Sequence, residues 1–417
     1  MELYNVFEDM SRDATFDFLV DRIKHTKQTG SFLQEKFTDI EEWKKVYLPF
    51  VKNSVFHFRH SGTESSSAPE SSQINEAWEI PGQARDDVYK VALNEEIAEV
   101  VDFGEYTRKK VYFNAAPGCR IPAYLLIPNG LTKPAPGVVV LHDHGAQAYW
   151  GKEKAVEHKE PIPVLDEFVK ELYEEPLAST MAKKGYVTLV TDSILFGERS
   201  FKVANKEDFK ARLAQYPVGT AEYIQEYNDC IFEIQADVAR IFFLAGTSLM
   251  ATRLWDDIAS VDYLSSLPEV DSEKIGCIGL SMGGYRSGWL SIVDDRIKCA
   301  VMAGAMQRYR EMMKHRLPQV EWMWTVPGLY GTLDFEDIIS LRAPKPLMAV
   351  QGKQDWLFAP EQTGEKAIAH VRAVYEKAGA AQNFVCEYFD GPHVFLPPMQ
   401  EKAFAWMGRY LKKEPSL

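Results

Sequence analysis

Residues 274–285 read Lys-Ile-Gly-Cys-Ile-Gly-Leu-Ser-Met-Gly-Gly-Tyr, and this stretch constrains the fold more than any other. A short apolar run ends in Gly-x-Ser-x-Gly and passes without a spacer into a helix-compatible segment. A serine at such a sharp strand-to-helix turn takes backbone angles that ordinary residues resist, while neighbouring chain passes close by. Gly279 and Gly283 leave room where a Cβ would clash. The turn lifts the Ser281 hydroxyl above the sheet edge and leaves the Met282 N–H at a helix start, where it faces any negative charge that develops there. A tight turn with a capping serine satisfies the pentapeptide equally well, so the rest of the chain has to decide.

With 417 residues, the chain is long enough for one large domain with an appendage or for two domains. A net charge of -13, with no concentrated basic patch, argues against a nucleic-acid partner, because the summed field repels a polyanion. The first twenty residues mix Glu2, Glu8, Asp9, Arg12, Asp13 and Asp17 with apolar residues and show no secretory h-region. No apolar run approaches the roughly 20 residues of a membrane span. The five cysteines, Cys119, Cys230, Cys277, Cys299 and Cys386, form neither a disulfide framework nor a metal-ligand spacing. These features together predict a cytoplasmic protein without a membrane partner.

Apolar residues recur at helical spacing from Met1 to about Val51, as in Phe16, Phe18, Leu19 and Ile23 and again in Ile40, Trp43, Val46 and Tyr47, which predicts two or three helices. A Ser-rich linker follows near 60–73, and Asp86 to Val100 reads as a further helical stretch. Residues 1–105 are thus expected to form a helical extension and 106–417 the main domain. Beyond Thr107 the pattern changes. Short apolar runs (107–114, 121–127, 137–142, 186–192, 275–281, 299–303, 346–351 and 384–389) are bounded by Gly, Pro and Asp. The first ones are close enough to pair as a hairpin, and the later ones are separated by helix-sized segments. That alternation predicts an α/β fold with a mostly parallel central sheet flanked by helices. Three segments, 149–176, 201–247 and 307–337, read as rim insertions. The last clusters Met312, Met313, Trp322, Met323, Trp324 and Tyr330, either as core under an excursion or as an apolar wall over a pocket.

If Ser281 is a nucleophile it needs a general base and a group to orient that base, following it in the order acid, then histidine. Three histidines lie after it. His315 sits in an insertion, His370 inside the helical segment 361–378, and His393 in the turn Asp390-Gly391-Pro392-His393 between a strand and the last helix. His393 is the candidate base. Asp355, reached through an apolar strand and a glycine turn, is the candidate acid in preference to Asp390. Met282 offers one oxyanion donor through its backbone N–H. The loop after the third strand, Leu141-His142-Asp143-His144-Gly145, offers the other through the His144 N–H. Two histidines flanking an aspartate could suggest a metal site, but no further His or Cys pattern supports one. His142 reads as a structural hydrogen-bonder, and neither metal nor cofactor is expected.

From Tyr106 to Leu411 the chain resembles the α/β-hydrolase superfamily, and within it the dienelactone hydrolase and acetyl xylan esterase-like branch. The resemblance is carried by residues 121–128, the His-Asp-His-Gly loop, Asp192 with Phe196-Gly197-Glu198-Arg199, Trp255-Asp256-Asp257, 279–285, 352–355 and Gly391-Pro392-His393. It implies the α/β-hydrolase fold and a cofactor-free serine hydrolase. The implied substrate is a carboxylic ester, either of an acetylated sugar or of a small metabolite. Asp143 departs from the glycine usual in that loop. The same triad order also serves a carbon–carbon bond hydrolase under a helical cap, or a prolyl oligopeptidase-like peptidase, although too few residues precede the core to form a propeller. A non-catalytic binding protein on the same scaffold has no need of nucleophile, base, acid and elbow glycines together. The acidic, aromatic-rich insertions are candidates for lids or for contacts in a homo-oligomer.

Overall fold

A computed structural model of the chain describes residues 30–56, 91–200, 207–316, 320–358 and 364–412. Among these residues the strands form a single nine-stranded sheet in the order β1-β2-β3-β5-β4-β6-β7-β8-β9. The strands are β1 (Glu96–Asp102), β2 (Tyr106–Ala116), β3 (Cys119–Pro128), β4 (Ala135–Leu141), β5 (Val187–Thr191), β6 (Val270–Leu280), β7 (Ile297–Ala303), β8 (Leu347–Gly352) and β9 (Phe384–Phe389). β1, β2, β3 and β5 pair antiparallel, and every pairing from β5 through β4 to β9 is parallel. The apolar runs account for this layout. β5 and β8 are buried along their whole length, as a strand covered on both faces must be.

The helices are α1 (Ile40–Phe56), α2 (Pro163–Leu172), α3 (Leu177–Lys183), α4 (Glu207–Leu213), α5 (Ala221–Leu244), α6 (Leu249–Ser266), α7 (Met282–Val293), α8 (Tyr309–His315), α9 (Phe335–Ser340), α10 (Glu365–Lys377) and α11 (Pro397–Leu411). The core has two parts. One takes side chains from α1, α6, α7, α9 and α10, such as Trp43, Leu254, Trp289, Ile338 and Val371. The other takes them from α2, α3 and α11, such as Phe168, Met181 and Met407. In sequence order the chain leaves β4 for β5 on one side and returns to β6 on the other. β4 and β6 therefore flank the point where the strand order reverses, and the crevice beyond their carboxyl ends is where open α/β sheets bind ligands.

Residues 96–100, expected to be helical, belong instead to the edge strand β1. Its apolar residues, Ile97, Val100 and Val101, are too few to fix a period. Cross-strand pairing decides the outcome, with Glu99 on Arg108 (3.3 Å) and Glu96 on Arg120 (3.0 Å), and the β-branched residues favour it. The sheet thus begins at Glu96, ahead of the anticipated boundary at residue 105. Of the expected N-terminal helices α1 is present, capped by Asp39, which accepts from the N–H groups of Glu41 and Glu42. Residues 1–29, the Ser-rich linker near 60–73 and residues 86–90 lie outside the described residues. In the third insertion Met312, Met323 and Trp324 are core, while Trp322 is partly exposed.

Candidate active site

Ser281 follows β6 directly and is the N-cap of α7, with φ 58° and ψ -119°. A left-handed conformation is costly for a residue with a Cβ and persists only where the surroundings enforce it. Here they do. The Ser281 N–H donates to the Ala303 carbonyl (2.8 Å) and its own carbonyl accepts the first helical bond from Tyr285 (2.9 Å). The close approach expected at the elbow glycines is severe at Gly283, where a Cβ would lie 1.8 Å from the Leu141 carbonyl oxygen. Gly283→Ala is therefore expected to shift the turn, costing at least about 1–3 kcal/mol of stability. Thermal unfolding alongside ester turnover would register both losses. The elbow helix is anchored from below by Arg286, whose guanidinium is buried and takes both oxygens of Asp257 on α6 (3.1 and 2.5 Å).

His393 and Asp355 are brought together. Nδ1 of His393 donates to Oδ2 of Asp355 at 2.6 Å, and Oδ1 of Asp355 accepts from the N–H groups of Leu357 (2.9 Å) and Phe358 (3.0 Å). This fixes the imidazole tautomer and leaves Nε2 as the acceptor. Nε2 is shielded from solvent and has no hydrogen-bond partner among the described residues. The ring lies against Gly304, where a Cβ would be 2.9 Å from its Cε1. Gly304 follows Ala303, the residue that accepts from Ser281, so serine and imidazole flank the same end of β7. Ser281 is 8% exposed. Two competing residues are engaged elsewhere, Asp390 with Lys353 (3.0 Å) on the surface and His370 with Asp337 (2.8 Å); His315 falls in α8.

The loop after β4 packs onto the elbow, with the Leu141 and His142 carbonyls against Gly283. His142 has the structural role expected of it. Its Nδ1 donates to the Asp143 carbonyl (2.8 Å), its Nε2 accepts from the Ser193 N–H (3.1 Å), and burial followed by the charge of Lys154 holds its pKa well below the usual value. The His144 ring stacks on Phe232 and meets Phe196 edge-on. Burial pushes its pKa down to about 4, so it is neutral at physiological pH. Gly145 (φ 52°) and Ala146 (φ 55°) turn the loop sharply. Neither the His144 nor the Gly145 N–H has a protein acceptor among the described residues, so both are available for an oxyanion, as is the Met282 N–H at the start of α7.

The supports of this loop carry no motif visible in the sequence. A short 3-10 turn, Lys152–Ala155, carries two fully buried lysines. The Lys152 ammonium is held by Glu153 (2.7 Å), Asp192 (2.8 Å) and Glu198 (2.7 Å). Those three carboxyl groups lie close enough together to suggest a metal site, but a lysine nitrogen already sits among them. Asp192, Phe196 and Glu198 surround this turn, while Arg199 pairs with Asp256 on α6. Burial works against the charge on Glu198, but Lys152, with help from Tyr112 and Lys110, outweighs it and holds the carboxyl down at about 2. The ordinary value is 4.5, so the stabilisation from Glu198 is complete above that pH and is lost as pH falls towards 2. Glu198→Gln is expected to be less stable than the parent at pH 7, with the gap narrowing below about pH 4.5, as read by urea unfolding across pH.

Comparison with known proteins agrees with the fold. A family model described as the prolyl oligopeptidase family matches residues 240–413, which include Ser281, Asp355 and His393. A Bacillus subtilis protein named "Putative hydrolase YtaP" is 27% identical over 293 residues, covering 70% of this chain and 84% of its own. A Bacteroides fragilis structure titled as a "putative acetyl xylan esterase" superposes with a TM-score of 0.63 at 17% identity, covering 91% of this chain and 82% of that one. A glucuronoyl esterase from Solibacter usitatus gives a TM-score of 0.54 at 15% identity, covering 92% and 97%. At such identities the structures speak for the fold, and the fold agrees with the strand order, the switch point and the elbow. The chain has the α/β-hydrolase fold.

Proposed function

We propose that this protein is a serine hydrolase that cleaves carboxylic esters through an acyl-enzyme, with Ser281, His393 and Asp355 as its triad. The observation that carries the reading is the 2.6 Å hydrogen bond from His393 Nδ1 to Asp355, which leaves Nε2 open beside the strand end that holds Ser281. Ser281 Oγ attacks the ester carbonyl as His393 Nε2 takes its proton. The N–H groups of Met282 and His144 hold the oxyanion. Collapse of the tetrahedral intermediate expels the alcohol, which leaves with the proton from His393. Water then attacks the acyl-enzyme, giving its proton to the same imidazole, and the acid and free Ser281 are regenerated. None of these steps calls on a cofactor.

The names of the two similar solved structures, a "putative acetyl xylan esterase" and a glucuronoyl esterase, support an ester of a sugar as the substrate class. The matched family model gives a peptidase as the second reading, although the described residues ahead of the sheet supply one helix and no propeller. A panel of p-nitrophenyl acetate, acetylated sugars, a β-diketone and a prolyl-peptide anilide separates the readings. Turnover confined to the esters is the expected result. Cleavage of the diketone or the anilide with no ester turnover would overturn it.

A further inference from the structure

Lys154 is fully buried, and its side chain is directed at backbone. Its Nζ donates to the carbonyl of Asp143 (3.0 Å) and to that of His144 (2.9 Å), and it lies 3.5 Å from Asp143 Oδ2. The aromatic rings of Phe196 (4.9 Å) and Phe168 (5.3 Å) line the rest of its pocket. A buried ammonium carries a desolvation cost that its contacts must offset. Here the contacts converge on the loop facing the elbow. Asp143 is in turn oriented by the Tyr173 hydroxyl, which donates to its Oδ1 at 2.6 Å.

The geometry of the trans peptide gives these bonds a consequence. Within one planar peptide unit the carbonyl of residue i and the N–H of residue i+1 point in opposite directions. Lys154 binds the Asp143 and His144 carbonyls, so the N–H groups of His144 and Gly145 are turned away from it. These are the two N–H groups without a protein acceptor among the described residues. Gly145 fits no other residue, since a Cβ there would lie 2.3 Å from Asp143 Oδ2 and 2.4 Å from Phe168 Cζ. The Lys152 cluster then fixes the turn from which Lys154 reaches, through the Lys152 N–H on Asp192 Oδ1 (2.7 Å).

We infer that Lys154, with Asp143 and Tyr173 behind it, is the positioning residue that holds the His142–Gly145 loop so that its N–H groups form the second half of the oxyanion site. The inference rests on the ester-hydrolase reading. Lys154 touches no reacting atom. It acts by keeping two dipoles preorganised, and the benefit appears only when negative charge develops on the bound carbonyl oxygen.

The test compares wild type, Lys154→Met and Tyr173→Phe in ester turnover and in affinity for an arylboronic acid, whose tetrahedral serine adduct places an oxygen in the oxyanion site. Lys154→Met is expected to lower kcat about 10²- to 10³-fold, leave KM within about threefold and weaken boronate binding by a factor comparable to the loss in kcat. A merely structural role would not separate these quantities. Should Lys154→Met fail to fold, Tyr173→Phe decides, with a kcat loss of about tenfold expected and the same split from KM. A folded Lys154→Met with kcat within threefold of wild type, or with its loss carried by KM, overturns the inference. So does a Tyr173→Phe with unchanged kcat in the case where Lys154→Met does not fold. Absence of ester turnover in the wild type overturns the ester-hydrolase reading and this inference with it. An active wild type beside an unimpaired variant overturns the inference alone.

Discussion

Ser281→Ala is expected to lower kcat for p-nitrophenyl acetate by about 10⁶, close to the rate of the oxyanion site acting alone, with KM little changed. The hydroxyl is the only atom removed. The elbow is held by backbone, through the Ser281 N–H on Ala303 and the Tyr285 N–H on the Ser281 carbonyl, so the variant keeps its shape. Steady-state kinetics with an unfolding curve for each protein would read the effect. A variant that retained more than a few per cent of wild-type kcat would remove Ser281 from the mechanism.

Asp355→Asn is expected to cost about 10⁴ in kcat, for a reason visible in the hydrogen bonds. Oδ1 of Asp355 accepts from the Leu357 and Phe358 N–H groups, and Oδ2 accepts from His393. An asparagine must place its carbonyl oxygen where two donors already point, which leaves its NH₂ facing His393 Nδ1. The imidazole then has to present Nδ1 as an acceptor and carry its proton on Nε2, where it cannot take a proton from Ser281. Stability should change far less than rate, because no volume is altered and the amide oxygen retains both backbone bonds. Kinetics on the folded variant measure the loss. A kcat within tenfold of wild type would show that Asp355 does not set the tautomer.

The candidate triad was legible because each member sits at the end of an apolar run in a turn whose residue types declare it. Glycine frames Ser281, glycine precedes Asp355, and Gly-Pro precedes His393. The chemical order along the chain then left one arrangement standing. The strands were legible for the same reason, since buried runs such as Val138-Val139-Val140 need no partner to be recognised. β1 was not, because an exposed edge strand has too few apolar residues to show a period, and the ion pairs of Glu96 and Glu99 that hold it come from other strands. The loop at His142–Gly145 was visible as a loop, but its support was not. Lys154 lies nine residues beyond Gly145 in an insertion, and it binds backbone carbonyls that no side-chain motif announces. The methionine-tryptophan cluster also resolved only on folding, as core at Met312, Met323 and Trp324 and as surface at Trp322.

Mass spectrometry of the intact and digested protein after fluorophosphonate treatment tests the activated nucleophile most directly. One adduct per chain, localised to the peptide containing Ser281, absent in Ser281→Ala and formed more slowly in Asp355→Asn, is the result expected from the Asp355, His393 and Ser281 arrangement. A wild-type protein that turns over esters yet carries no label, or carries it on another residue, would contradict it.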